Sequence, residues 1–144
     1  MKLSTKGEYG LRAMFELAQR YGGGPIPLKL IAEKQSISEP YLEQLFGNLR
    51  RAGLVESTRG SQGGYSLAKK PEDIYVGDII RTLEGPIGPT DCVQEEMNKC
   101  NRAGGCATRV VWEKVRDSIT QVLDSITLAY ICEEAKKQEE LKLK

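Results

Sequence analysis

The 144-residue chain contains no histidine. That absence removes imidazole as a general acid or base, the Ser-His and Cys-His nucleophile pairs, and every His-ligated zinc site. No apolar run approaches the ~20 residues a helix needs to cross a bilayer. The N-terminal stretch MKLSTKGEYGLRAM also lacks the uninterrupted apolar core of a secretory signal. Both features predict a cytoplasmic protein without a membrane partner. There is no C-x-x-C and no thioredoxin-like βαβ pattern around the cysteines, so a thiol oxidoreductase is disfavoured and the chain does not read as an enzyme. Internal repeats are lacking too. Net charge is only +1, and that total by itself names no partner.

The charge is unevenly placed. Residues 1–70 hold eleven Lys/Arg against six Asp/Glu, whereas residues 71–144 hold ten against fourteen. A basic first half points to a polyanion partner. In that half, Tyr9, Leu11, Met14, Phe15, Leu17 and Ala18 recur at helical spacing behind Ser4 and Thr5, predicting a first helix over 4–21. The loop GGGPIP cannot continue it. A short amphipathic helix over 28–34 follows, then a turn at 35–38, then EPYLEQLFGNLRRAG. Ser38 is placed to cap this third helix, Pro40 sits in its first turn, and Gly53 ends it. Leu42, Leu45, Phe46 and Leu49 form its apolar stripe, leaving Tyr41, Glu43, Gln44 and Asn48 on other faces. Two β-like runs, Leu54 to Ser57 and Gly64 to Leu67, are joined by a glycine-rich turn that carries Arg59. Two helices, a tight turn, a third helix with a polar face and a basic hairpin spell a winged helix-turn-helix. The predicted fold class is mainly α with a small β-hairpin wing, followed by a long dimerisation helix.

The chain divides by these signals into a DNA-binding domain over 1–84, a cysteine-bearing loop over 85–106, helical segments over 107–135 and a flexible tail over 136–144. Beyond Cys106, Val111, Val115, Ile119, Val122 and Ile126 recur every three or four residues. Such a sustained apolar face has no further domain to cover it, so pairing with a second copy is expected.

Three of the four cysteines, Cys92, Cys100 and Cys106, fall within CVQEEMNKCNRAGGC, spaced C-x7-C-x5-C. In a reducing compartment, clustered thiols are more often metal ligands than disulfides, and soft thiolates suit iron–sulfur or zinc. Idle thiols or a stray disulfide are the bland alternatives. Three donors fall one short of a tetrahedral site, and the sequence leaves the fourth open.

The stretches LSTKGEYGLRAM, ISEPYLEQLFGNLRRAGLVESTRGSQGGYSL, VGDIIRTLEGPI and CATRVVWEKVRDSI closely resemble the IscR-like family of bacterial winged-helix regulators, over roughly residues 1 to 130. The resemblance implies a homodimeric transcription factor on a double-stranded DNA operator, with a [2Fe-2S] cluster in each cysteine loop. It implies control of cluster-biogenesis genes and traffic with cluster-donating proteins; relatives sense nitric oxide, redox state or cysteine supply. By position it assigns Tyr41 and Gln44 to bases and nearby phosphates, Ser38 and Arg50 to the backbone, and Arg59 to the minor groove. It makes Glu43 a selector among operators. Glutamine pairs bidentately with adenine, and arginine reads the negative potential of a narrow minor groove.

The chain departs from the family in two places. Its first cysteine gap is longer by about two residues, a small difference in closure entropy. The family's histidine, three residues after the last cysteine, is here Arg109, which has no lone pair to offer. Nitric-oxide-sensing relatives imply a carboxylate from the first helix of the opposite subunit, and the matching residue is Glu8. Asp91, Glu95, Glu96 and Cys132 are the other candidates. Cys132 lies among Leu128, Ile131 and Ala135 at helical spacing, which favours a buried thiol. A zinc-stabilised interaction module is the reading from a different class.

Overall fold

The computed structural model describes residues 3–89 and 107–143. Helix α1 (Thr5–Gln19) begins at Ser4, whose hydroxyl accepts from the Lys6 N–H at 3.2 Å. Its buried face carries Ala13, Met14, Leu17 and Ala18. After the glycine loop, α2 (Leu28–Gln35) starts behind Pro27 and stops at Ser36, which takes the left-handed conformation at φ 55°. That residue makes the tight turn into α3 (Glu39–Arg51). Ser38 caps α3, accepting from the Tyr41 N–H at 3.4 Å, with Pro40 in the first turn. Glu39 at the start and Arg50 and Arg51 at the end complement the helix dipole. Leu42, Leu45, Phe46 and Leu49 are buried as their spacing predicts.

Gly53, at φ 80°, turns the chain into the wing. Strands β1 (Val55–Thr58) and β2 (Gly64–Leu67) pair antiparallel, Val55 opposite Leu67 through Thr58 opposite Gly64. Two hydrogen bonds of 2.8 Å between Ile26 and Tyr65 tie β2 to the loop after α1. Gly64, at φ 151°, allows this close approach, since a Cβ there would overlap the Ile26 carbonyl. Tyr65 stacks on Phe46 with ring centroids 4.9 Å apart, joining the wing to α3.

A 3₁₀ turn (Pro71–Asp73) leads to α4 (Val76–Glu84), then, beyond the undescribed stretch, to α5 (Arg109–Leu123) and α6 (Leu128–Leu143). One apolar core joins α1, α2, α3, the wing strands, α4 and the start of α6, with Met14, Ile31, Phe46, Ile79 and Leu128 almost fully enclosed. Each such side chain contributes about 1.5–3 kcal/mol relative to exposure.

Two features differ from expectation. The helix after the cysteines stops at Leu123, so Ile126 lies in a break rather than on its apolar stripe. Asp124 is held there by a forked pair with Arg81 at 2.9 and 2.7 Å, over Gly77, where a Cβ would overlap the Asp124 carboxylate. The next backbone groups pair with α4's approach: Val76 N–H to Ile126 O at 2.9 Å and Leu128 N–H to Ile74 O at 3.0 Å. These contacts outweigh helix continuity and drop Leu128 into the core. The second difference is the expected frayed tail, which is instead the last part of α6, helical through Leu143 with exposed side chains. Its composition, KKQEELK, is of strong helix formers.

α5 buries no residue fully. Ile119 and Leu123 pack partly against Val76, Ile80 and Ile87, whereas Val111 and Val122 remain 52% and 55% exposed.

Candidate nucleic-acid interface and thiol site

With its apolar stripe turned inward, α3 leaves Glu43, Gln44 and Arg50 exposed. Arg59 is exposed where β1 enters the wing turn. Ser38 is spent on the cap, leaving its hydroxyl at the exposed start of the helix. Tyr41 is placed differently from its neighbours. It is half-buried against the core, its ring meets Tyr9 edge-on at 6.0 Å, and its hydroxyl hydrogen-bonds Thr5 Oγ1 at 2.7 Å.

That contact belongs to a polar seam along α1 which fixes the helix-turn-helix. The Arg12 guanidinium lies 5.2 Å from the Tyr9 ring centroid, a cation–π contact. Arg12 also donates through Nε to Gln35 Oε1 at 3.0 Å and reaches the Gln35 backbone carbonyl. Gln35 in turn donates to Glu16 at 2.7 Å, and Glu16 pairs with Arg20 at 3.7 Å. Glu16 is only 9% exposed, and these two partners account for a carboxylate in that position. Sequence reading took Thr5 only as a possible cap, a role that falls to Ser4, and passed over Arg12, Glu16 and Gln35. The available signal was the spacing of 5, 9, 12 and 16, a second, polar stripe on one face of the same helix.

Among the thiols, Cys92, Cys100 and Cys106 lie outside the described residues, as do Asp91, Glu95 and Glu96. Cys132 is half-buried, packs against the core, and burial pushes its thiol above the ordinary value of 9.0 although Lys136 opposes the shift. Glu8 is exposed on the first turn of α1. Arg109, at the first position of α5, forms an ion pair with Glu113 at 2.9 Å, which offsets a cation set at a helix N-terminus. Among the described residues no cluster of three His, Cys, Asp or Glu side chains forms a metal site, and no helix is long and apolar enough to cross a membrane.

A three-helix core with a stacked hairpin wing and an exposed polar face on the third helix defines a winged-helix transcriptional regulator. The profile of the Rrf2 family, described as an iron-dependent transcriptional regulator, matches residues 3–134. The chain is 51% identical over 128 residues to the HTH-type transcriptional regulator CymR of Bacillus subtilis, covering 89% of this chain and 87% of that one. It is 43% identical over 128 residues to the HTH-type transcriptional regulator IscR of Aliivibrio salmonicida, covering 89% and 75%. Among solved structures, T. potens IscR superimposes with a TM-score of 0.78 at 54% identity, over 96% of this chain and 90% of that one. The structure of CymR, the global cysteine regulator of B. subtilis, gives 0.77 at 48%, over 93% and 98%. The chain belongs to the Rrf2 family and is an IscR-like member of it, a regulator of transcription and not an enzyme.

Proposed function

We propose that the chain works in the cytoplasm as a homodimer on a double-stranded DNA operator, and that a [2Fe-2S] cluster sets its operator binding and so controls genes of cluster biogenesis. The observation that carries the reading is α3, whose core-facing stripe leaves Glu43, Gln44 and Arg50 exposed together beside a wing bearing Arg59. Gln44 supplies the paired donor and acceptor that adenine needs in the major groove. Glu43 repels phosphate and accepts only from the exocyclic amino groups of cytosine or adenine, so it works by rejecting guanine and thymine at its position. Arg50 and Arg59 anchor the duplex by charge, Ser38 lends a backbone contact, and Tyr41 sets its ring at the α1 edge of the helix. The bare apolar face of α5 supports a second copy as its cover.

For the cluster, the donor set fits. Cys92, Cys100 and Cys106 supply three soft sulfur donors close together in the sequence, and Glu8, exposed on α1, would reach the partner subunit's loop as the fourth ligand. A bound cluster supplies a redox- and supply-sensitive charge. A carboxylate oxygen is a harder donor to iron than imidazole, which makes the cluster more labile. Arg109 is engaged with Glu113 and takes no part.

The test is purification without oxygen, with iron and sulfide analysis, visible and electron paramagnetic resonance spectra, and an operator selected from a random duplex pool. Brown protein with matched iron and sulfide, and altered operator choice once the cluster is removed, is the expected result. Protein free of iron and sulfide that binds its operator unchanged overturns the cluster. Colourless protein holding zinc supports the interaction module instead. Similarity to the cysteine regulator CymR favours one second reading, a cluster-free regulator answering to cysteine supply; operator binding that changes with cysteine metabolites and not with iron selects it.

A further inference from the structure

Glu84 is the last residue of α4, where the helix dipole disfavours a negative charge. Its carboxylate is turned onto the start of α1. Ser4 donates to Glu84 Oε2 twice, through its backbone N–H at 2.8 Å and its hydroxyl at 2.8 Å, and the hydroxyl also touches Oε1. Gly7 makes room for this, since a Cβ there would lie 3.1 Å from Glu84 Cγ. The neighbouring residue faces the other way: Thr5 Oγ1 holds the Tyr41 hydroxyl at 2.7 Å. Two adjacent residues therefore join the C-terminus of α4 to α3. Ser4 also caps α1 through Lys6, so a shift of the Glu84 carboxylate moves the first turn of α1 and the Thr5 hydroxyl with it.

We infer that Glu84 is a positioning residue for operator recognition, setting Tyr41 and the register of α3 through the Ser4–Thr5 pair. The inference rests on the reading of α3 as the element that meets DNA. It assigns Glu84, Ser4 and Thr5 a share of sequence discrimination although only Tyr41 lies on the recognition helix. Phosphate anchoring by Arg50 and Arg59 is untouched by these residues, so discrimination and general affinity separate.

The experiment measures binding of the full-length protein to the selected operator and to an unrelated duplex of equal length, for wild type, Glu84→Ala, Thr5→Val and the double variant. Each single substitution is expected to weaken operator binding about fivefold, the equivalent of one net hydrogen bond. Binding to the unrelated duplex is expected to stay constant, and the double variant to be no weaker than the weaker single. Glu84→Gln, which keeps an acceptor oxygen, and Thr5→Ser, which keeps the hydroxyl, are expected to restore most of the loss and serve where Glu84→Ala folds poorly. Independent, multiplying losses in the double variant overturn the linkage. So do wild-type operator binding in both singles, or an equal fall on both duplexes, which marks a general structural defect. A wild-type protein that selects no operator at all removes the α3 reading, and this inference with it.

Discussion

Cys132 shows how one side chain takes its character from its surroundings. Half-buried against the core, its thiol titrates above 9.0 because burial disfavours the thiolate more than Lys136 favours it. In the unfolded chain the thiol loses its proton first, so between the unfolded and folded values the native state holds more protons. Stability from this site is therefore complete below the unfolded value of 9.0 and is lost as pH rises through the raised folded value. Cys132→Ala is expected to remove that alkaline loss. Urea midpoints of both proteins from pH 7 to 10.5 check it, and parallel curves defeat it. The raised value also makes Cys132 a poorer thiolate donor than an ordinary cysteine, which counts against it as a ligand in the proposed cluster.

At the scale of elements, α1 is held from both sides by small residues and polar contacts. Gly10 faces Leu83 of α4 so closely that a Cβ would overlap Leu83 Cδ1. Leu83 is 6% exposed and has little room to retreat. Gly10→Ala is expected to destabilise by about 1–3 kcal/mol, as overpacked cores do. Pairing it with Leu83→Ala is expected to give less than the sum of the two losses, since each change relieves the other. Chemical denaturation of the three variants measures this, and strict additivity denies the contact. The wing makes a different contribution. Arg59 sits exposed on a turn whose strands are pinned by Ile26 and Tyr65, so it supports no core contact, and in the proposed reading its charge is free to meet the duplex. Arg59→Ala is expected to leave thermal stability unchanged and to flatten the salt dependence of operator binding by about 2 in log–log slope for a dimer, one released counterion per subunit. An unchanged slope places Arg59 away from phosphate.

For the whole molecule, the decisive surface is α5. Ile119 and Leu123 rest on α4, yet Val111, Val115 and Val122 are left to solvent. In the proposed homodimer, a second copy that covers them would also bring two α3 helices onto one duplex, so that affinity would depend on both heads binding together. Val115→Glu places a charge in that seam. Sedimentation is expected to report a monomer, and operator affinity to fall by about a hundredfold or more as the linked second site is lost. A variant that stays dimeric shows that α5 is not the seam.

Sequence alone determined α1 to α3, the wing and the buried stripe of α3, because hydrophobic period, caps and glycine turns are local signals that the packing of this fold reinforces. It also exposed the missing histidine at Arg109, a matter of residue identity. Only the tertiary structure decided where the helix beyond the cysteines ends, because Asp124 meets Arg81 and Leu128 meets the core across distances no local pattern records. The same holds for Tyr41, polar by position on α3 and yet drawn inward by Thr5 and Tyr9, and for Glu84, whose partner Ser4 lies eighty residues away. Contacts of that kind depend on how helices cross, and crossing is set by the shape of the assembled core rather than by any one segment.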